Sequence, residues 1–176
     1  MANIFGKKSS IKLPQRDREA QHEEYGREGK GAVLCPDCGN VHFRKKWHAS
    51  LATLHEHAKD EMLAVSGEKR CHACTMVREH TFEGELFLEK VPERFREELM
   101  NLIRHFGEHA RANDPQDRII AVEDTDTGYR ITTTENQLAD RLAKKIKDAF
   151  NTADIHFTHS KEPFEVDRIR VIFRSE

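Results

Sequence analysis

The sequence predicts an α+β protein in three parts: a basic arm, a zinc ribbon and a ferredoxin-like sheet domain. Two observations predict this division. Two Cys-x-x-Cys pairs lie in the first half of the 176-residue chain. The second half alternates strand and helix patterns in the order βαββαβ, followed by one more strand. We place the flexible arm and linker at residues 1–31, the zinc ribbon with an inserted helix at 32–80, and the sheet domain at 81–176.

Composition narrows the class of protein. Hydrophobic residues make up 37% of the chain and charged residues 34%, so we expect a polar protein with a modest core. No apolar run approaches the roughly 20 residues of a membrane span, and Met1–Ser10 has no apolar stretch typical of a signal peptide. We therefore expect a cytoplasmic protein with no membrane partner, whose cysteines bind metal rather than form disulfides.

Charge is distributed unevenly along the chain. The net charge of −2 combines a basic half, Met1–His80 at +3, with an acidic half, Thr81–Glu176 at −5. Within the first eighteen residues the only acidic residue is Asp17, against five basic ones: Lys7, Lys8, Lys12, Arg16 and Arg18. We expect this arm to be disordered in the free protein. It either lies along a phosphate backbone when bound or serves as a solvated tail that aids solubility.

The two cysteine pairs are the strongest chemical signal. We expect each pair to form a knuckle, so that one structural zinc ion is held by Cys35, Cys38, Cys71 and Cys74. Pro36 and Gly39 favour the tight turn of the first knuckle. The 32-residue spacer is explained by an inserted helix over Trp47–Val65. Two unconnected reduced motifs are the alternative. A redox role is disfavoured because neither pair is expected to begin a helix after a strand.

Periodicity predicts the elements of the sheet domain. A strand over Phe82–Lys90 places Phe82, Leu86 and Leu88 on one face and glutamates on the other. A helix begins at Pro92, and a second helix over Glu135–Phe150 is capped by Thr134. The other strands are Arg118–Glu123, Tyr129–Thr134, Ile155–Ser160 and Asp167–Arg174, the last two joined through Pro163. The predicted core is Leu86, Leu88, Leu99, Ile103, Phe106, Leu142, Ile146, Val171 and Phe173. Cross-strand pairing with the glutamates is expected for Arg168, Arg170 and Arg174.

A basic and aromatic cluster lies beside the first cysteine pair. Arg44, Lys45 and Lys46 are flanked by Phe43 and Trp47, a combination that suits RNA phosphates and unstacked bases. Lys69 and Arg70 directly precede the second pair, and zinc would bring them close to this cluster. The alternatives are a solvated rim of the zinc ribbon and, for Trp47, the first apolar position of the inserted helix. The glutamates of the first sheet strand argue against base stacking on the sheet.

Three segments together resemble a known family. The cysteine pairs precede Phe82-Glu-Gly-Glu-Leu-Phe-Leu, and a later segment, Gly128–Ile146, reads as strand, capped turn and helix. This combination is similar to the Nmd-three-like adaptors for export and maturation of the large ribosomal subunit. The resemblance covers roughly Val33–Arg174 and implies ribosome association by a short bacterial version. The chain departs from the family in having cysteines for one zinc ion rather than two, and in lacking the further C-terminal domains.

These features predict a non-enzymatic, zinc-binding, ribosome-associated factor. We expect it to bind RNA of the large subunit and to act in ribosome hibernation, stress or ribosome biogenesis. The alternative is a zinc-dependent protein-binding adaptor in transcription or the stress response. A zinc hydrolase or redox protein is disfavoured because four matched cysteines leave no open metal position. No nucleophile motif or phosphate-binding loop is present in the sequence, so neither an enzyme nor a small-molecule substrate is expected.

Overall fold

A computed structural model describes residues 31–57, 65–160 and 166–174. The five basic residues of the predicted arm and the connection through Pro163 lie outside these residues. The chain from Gly31 to Glu176 is one compact unit, so the predicted domain boundary at residue 80 stays a prediction. Within the described ranges, no helix is both long and apolar enough to cross a membrane.

The first half of the unit is a small four-stranded sheet. Its strands are β1 (Ala32–Leu34), β2 (Val41–Phe43), β3 (Lys46–His48) and β4 (Val65–Glu68). They lie in the order β3-β2-β1-β4, with β4 parallel to β1 and the other pairs antiparallel. Helix α1 (Leu51–His57) follows β3, and the Ser50 hydroxyl caps it by accepting the Thr53 N–H at 3.1 Å. Leu54, Ala32 and Val41 form a small core here.

The predicted helix over Trp47–Val65 is wrong at both ends. Trp47 lies on β3 and Val65 on β4. The spacing from Trp47 to Leu51 fits a helix, but Ser50 between them is the cap at which the helix begins. The chain also turns back sharply before Trp47, because Arg44 and Lys45 have φ of 48° and 66° and close a two-residue hairpin between β2 and β3.

The second half is a five-stranded sheet with two helices on one face. Its strands are β5 (Gly84–Glu89), β6 (Ile119–Thr125), β7 (Gly128–Thr133), β8 (Ala153–Ser160) and β9 (Val166–Phe173). Helix α2 (His72–Glu79) precedes β5. A 3₁₀ turn (Glu93–Phe95) leads into α3 (Arg96–Asn113), and α4 (Asn136–Ala149) follows β7. The order of elements in residues 81–176 is the predicted one.

The last strand lies inside the sheet. The strand order is β6-β7-β5-β9-β8, with β9 parallel to β5. A simple βαββαβ arrangement would place β8 beside β5, but the hairpin from β8 to β9 inserts β9 between them. The predicted ferredoxin-like order along the chain is therefore present, whereas the strand neighbours differ from it.

The core forms between this sheet and helices α3 and α4. Eight of the nine predicted core residues are buried, and Phe106 is partly buried against them. Gly84 belongs to this interface: a Cβ there would lie 2.3 Å from Thr133 Oγ1 and 2.8 Å from the Glu135 carbonyl oxygen. The start of α4 can therefore approach β5 only because residue 84 is glycine.

Two local predictions in the sheet domain are wrong. Phe82 does not share the face of Leu86 and Leu88, because its ring lies 5.1 Å from the guanidinium of Arg130, which pairs with Glu85 on the opposite face. The alternation fails there because Phe82 precedes the strand. Thr134 does not cap α4, which begins after Glu135. Its hydroxyl accepts from the Arg118 N–H at 2.9 Å and donates to the Gln116 carbonyl at 2.8 Å instead.

Candidate metal centre

The first cysteine pair lies in the turn between β1 and β2. The Gly39 N–H donates to the Cys35 carbonyl at 3.0 Å, and the Cys35 N–H donates to the Asn40 carbonyl at 2.7 Å. Gly39 has a φ of 73°, which glycine adopts without strain. Cys35 and Cys38 therefore lie on one tight turn, as predicted for a zinc knuckle.

The second pair lies on the first turn of a helix. Cys71 is the N-cap of α2, and its sulfur accepts the Cys74 N–H at 3.4 Å. Strand β4 precedes this helix, so the prediction that neither pair begins a helix after a strand is wrong. The helix has eight residues, and only Ala73 and Met76 within it are buried, so its apolar pattern is too short to identify in the sequence.

The four sulfur atoms form one group. Those of Cys35, Cys38, Cys71 and Cys74 all lie within 4.8 Å of one another. The Cys38 and Cys71 sulfurs are 3.7 Å apart, and a tetrahedral zinc site with bonds of about 2.3 Å requires a separation of about 3.8 Å. Among the described residues no histidine joins this group. The predicted donor set therefore has the right chemistry and spacing to hold a metal ion such as zinc.

The surroundings shift the pKa values of three of the four thiols in different directions. Burial opposes ionisation of Cys35, but N–H groups of Cys71, Asp37 and Cys38 point to its sulfur and lower its pKa to about 7. Burial raises the pKa of Cys71 and of Cys74, and the hydrogen bonds that Cys74 shares with neighbouring thiols raise its pKa further. A metal cation would supply the charge that lets all four ionise.

An ion pair joins the two cysteine segments. The Arg70 guanidinium contacts the Asp37 carboxylate through Nε, and through Nη2 at 3.3 Å. The hydrogen bond from Arg70 lowers the pKa of Asp37. Asp37 lies between the first two cysteines and Arg70 directly precedes the third, so the pair ties the turn to the start of α2. Arg70, predicted to contact RNA, therefore also pairs with Asp37, a residue whose only signal in the sequence is an acidic side chain inside a cysteine turn.

Trp47 packs against the cysteine cluster. Its side chain packs with Cys38 and Cys74 against the buried cysteines, and its ring centroid is 5.0 Å from that of His42. Burial lowers the pKa of His42, and the nearby charges of Lys69 and His48 lower it further. Trp47 is therefore neither the start of a helix nor a fully exposed stacking platform.

The basic residues of the small sheet lie at its hairpin and beside it. Arg44 and Lys45 form the turn between β2 and β3, and exposed Lys46 begins β3. The Arg44 guanidinium lies 5.2 Å from the ring centroid of Phe43, which also packs on the small core. Lys69 follows β4, where its N–H donates to the Leu34 carbonyl at 2.9 Å. Its charge acts on His42 of β2, so the structure places Lys69 near the hairpin strands.

The metal centre is attached to the loop that follows α3. The Asn40 side-chain amide donates to the Pro115 carbonyl at 3.3 Å, and Asn40 is 2% exposed. On the helix side, the Ala73 N–H donates to Gln116 Oε1 at 3.2 Å. Both cysteine segments are thus bonded to adjacent residues of the same loop, a connection that the sequence analysis missed.

A groove of about 470 Å³ lies next to the centre, lined by residues of α2, α3 and β6. No protein-family model matches this chain, and no curated protein sequence matches it either. The fold and site therefore define its class by themselves: a mixed α+β protein whose described residues form two sheets, four helices and a four-cysteine group suited to a metal ion. The resemblance to the Nmd-three-like adaptors stays a prediction.

Proposed function

We propose that this chain is a non-enzymatic protein with one structural zinc ion and that it binds ribosomal RNA through the hairpin beside that ion. The zinc ligands would be the four cysteines, two from the turn between β1 and β2 and two from the start of α2. Four thiolates complete a tetrahedron and leave no position for an activated water. This supports a structural rather than a catalytic ion.

The observation that carries the RNA proposal is the hairpin turn. Arg44 and Lys45 both have positive φ, a conformation that costs an ordinary L-residue roughly 1–2 kcal/mol. Asn-Gly would form the same turn with less strain. Strained backbone of this kind is found where a function requires the side chains. Here the chain keeps three consecutive cations, Arg44 to Lys46, on a short hairpin next to the metal centre.

The open face of the large sheet is a weaker candidate for contact with RNA. This face carries Arg130, Arg168 and Arg170, but each is paired with a glutamate: Arg130 and Arg168 with Glu85, and Arg170 with Glu89. The predicted cross-strand pairing is thereby confirmed for Arg168 and Arg170, and Arg174 pairs with Asp154 instead. Because glutamates neutralise these arginines, the open face of the large sheet offers phosphates little net positive charge.

The test is binding of the zinc-loaded chain to ribosomal RNA at several salt concentrations. In the variant R44Q/K45Q/K46Q, binding should weaken, and the slope of log K against log[salt] should decrease by about 2, because three phosphate contacts are lost. The matched control is K144Q/K145Q/K147Q, which removes three exposed lysines of α4. Equal loss in both variants, or no salt dependence in the unaltered chain, would contradict the proposal.

The ribosomal partner is proposed from the resemblance and from the basic first half of the chain. Sucrose-gradient fractionation of tagged protein should place it with the large subunit. Enrichment in starved cells would support a hibernation or stress role, and enrichment with immature subunits would support biogenesis. The arm residues Lys7 to Arg18 would add further phosphate contacts. A protein that stays at the top of the gradient at low and high salt, during growth and starvation, is not a ribosome factor.

A zinc-dependent protein-binding adaptor is the second candidate. The groove beside α2 favours it, because Val77 of that helix is 43% exposed at an apolar surface. The salt dependence of binding affinity distinguishes the two functions. RNA binding through the hairpin weakens steeply as salt rises, whereas docking of apolar surface does not.

A further inference from the structure

The groove beside the metal centre is separate from the hairpin of Arg44 to Lys46, because none of these three residues lines it. One wall is the face of α3 from Met100 to Arg111, which by helix geometry is about 16 Å long. Ile119 and Val122 of β6 form the base, and Val77 of α2 forms part of the other wall. A volume of about 470 Å³ with a mainly apolar lining is typical of sites for small ligands.

Gly107 lets α3 lie close to Ile119 of β6. A Cβ at position 107 would lie 2.9 Å from Ile119 Cδ1 and 3.4 Å from Ile119 Cγ1. A larger side chain there would have to displace Ile119 or enter the groove that both residues line.

The acidic and basic residues that line the groove differ in their partners. Of its two acidic residues, Asp117 is 5% exposed and pairs with Arg141, whereas Glu108 is exposed, with its carboxylate 3.4 Å from the His105 ring. Its three basic residues are Arg104, Arg111 and Arg118. Within the described part of the chain, none of these three pairs with a carboxylate.

Arg118 is the most informative of the three. Its Nε donates to the Pro115 carbonyl at 2.9 Å, which fixes the guanidinium in place. Its Nη2 is buried, and no acceptor for it lies among the described residues. A buried N–H without a partner is costly, and a bound acceptor would remove that cost.

We infer that the groove binds a small organic anion with an apolar body, such as an alkyl carboxylate or alkyl phosphate. The anionic group would accept from the guanidiniums of Arg104, Arg111 and Arg118, and the apolar body would cover Met100, Ile119 and Val122. A cation would meet the positive charge of these arginines, and a neutral apolar ligand would leave that charge without a counterion. This inference is independent of the RNA proposal.

The test uses the full zinc-loaded chain and four probes below their micelle concentrations: decanoate, decyl phosphate, decanol and acetate. Decanoate, decyl phosphate or both should cause saturable shifts of the amide resonances of Val77, Ile119 and Val122, with a Kd of about 1 mM or tighter. Whichever binds identifies the anionic group. Decanol lacks the charge and acetate lacks the apolar body, so both should bind at least about tenfold more weakly.

Two variants connect binding to the groove. R104Q/R111Q should weaken the anion about tenfold, whereas the control K144Q/K147Q on α4 should leave it unchanged. G107L should abolish binding if it melts as the unaltered chain does; if it does not fold, the arginine pair decides. The inference is wrong if neither alkyl anion binds, if decanol binds equally well, or if R104Q/R111Q binds normally. Binding of an acidic amphipathic peptide in place of both alkyl anions would also contradict it and indicate a protein-docking site.

Discussion

At the scale of single residues, the ion pair between Asp37 and Arg70 supports the metal centre without supplying a ligand. It connects the turn that carries the first two cysteines to the residue before the third. Both side chains are about one-third exposed, so the pair alone adds little to folding stability. Its effect is to hold the ligands in position, and residues with that role typically change metal affinity.

We therefore predict that R70Q loses zinc more readily than the unaltered chain. The expected loss of affinity is about tenfold, the lower end of what such supporting residues contribute. Competition with a chromophoric chelator measures it. The control is R174Q, which breaks the exposed pair with Asp154 in the large sheet. If both variants retain zinc equally, the ion pair has no part in holding the ligands.

The folded structure disfavours ionisation of the Glu135 carboxyl. Burial raises the pKa of its carboxyl, and the charges of Asp117, Asp114 and Glu83 raise it further. A carboxyl whose folded pKa is raised destabilises the folded chain at pH values above that pKa. The penalty disappears as pH falls, because the folded chain takes up the proton before the unfolded chain does.

E135Q should therefore be slightly more stable than the unaltered chain at pH 7, with a Tm about 1–2 °C higher. The difference should shrink as pH falls through the raised pKa towards the ordinary value of glutamate. Thermal melts at several pH values measure it, and E97Q, at an exposed acid on α3, is the control. A difference that stays constant with pH would show that repulsion and burial of Glu135 are not its cause.

At the scale of elements, substitutions in the turn between β2 and β3 should affect folding stability and RNA binding in opposite directions. Replacing Arg44 and Lys45 by Asn and Gly should relieve positive-φ strain and stabilise the small sheet by about 1 kcal/mol or more. The same change removes two cations and should weaken RNA binding. Chemical denaturation and RNA titration measure the two effects. The control R44Q/K45Q removes the charge without relieving the strain, so it should weaken RNA binding without a gain in stability. If the Asn-Gly variant is less stable than the unaltered chain, the turn is not strained.

Helix α3 tests the packing of the large core. L99A should lower stability by about 2–5 kcal/mol, because Leu99 is fully buried against the sheet. This corresponds to a fall in Tm of about 5–15 °C. L102A, on the same helix but only partly buried, should cost clearly less. An unchanged Tm in L99A would mean that this face of α3 does not pack as described.

The elements also show how far the sequence predicts the fold. Helices α3 and α4 were predicted because apolar residues recur along one face over several turns, and that pattern leads to burial. The strands of the small sheet have three or four residues, too few to show a period, so helical spacing across Trp47 was misleading. The place of β9 depends on pairing with distant β5, which no local pattern encodes.

The same limit applies to the candidate site. The cysteines were predicted correctly as one group because the ligand types and their pairing are local signals. That Cys71 begins a helix, and that Asn40 and Gln116 tie the centre to the loop after α3, depend on tertiary contacts. The groove likewise arises only where α2, α3 and β6 meet.

At the scale of the whole molecule, two cores of unequal size support the two sheets. Among the described residues, the large core contains sixteen buried residues, whereas the small sheet has a cluster of three and the cysteine group beside it. A cluster of three buried residues contributes little against the entropy of ordering the first half of the unit. Metal binding is expected to supply the difference, since structural zinc contributes on the order of 10 kcal/mol or more to folding in small sites.

Removal of zinc should therefore unfold the small sheet and leave the large sheet folded. The single tryptophan, Trp47, reports on this directly, because it packs on the sulfur group and would enter water when that group separates. We expect a red shift of its fluorescence on chelation, together with loss of the amide dispersion of β1 to β4. C71S should reproduce the change without chelator. The amide signals of β5, β7 and β9 should persist in both cases, and R44Q/K45Q/K46Q should retain zinc and an unshifted fluorescence. A chain that keeps its Trp47 emission and small-sheet signals in strong chelator does not depend on metal for that part of its fold.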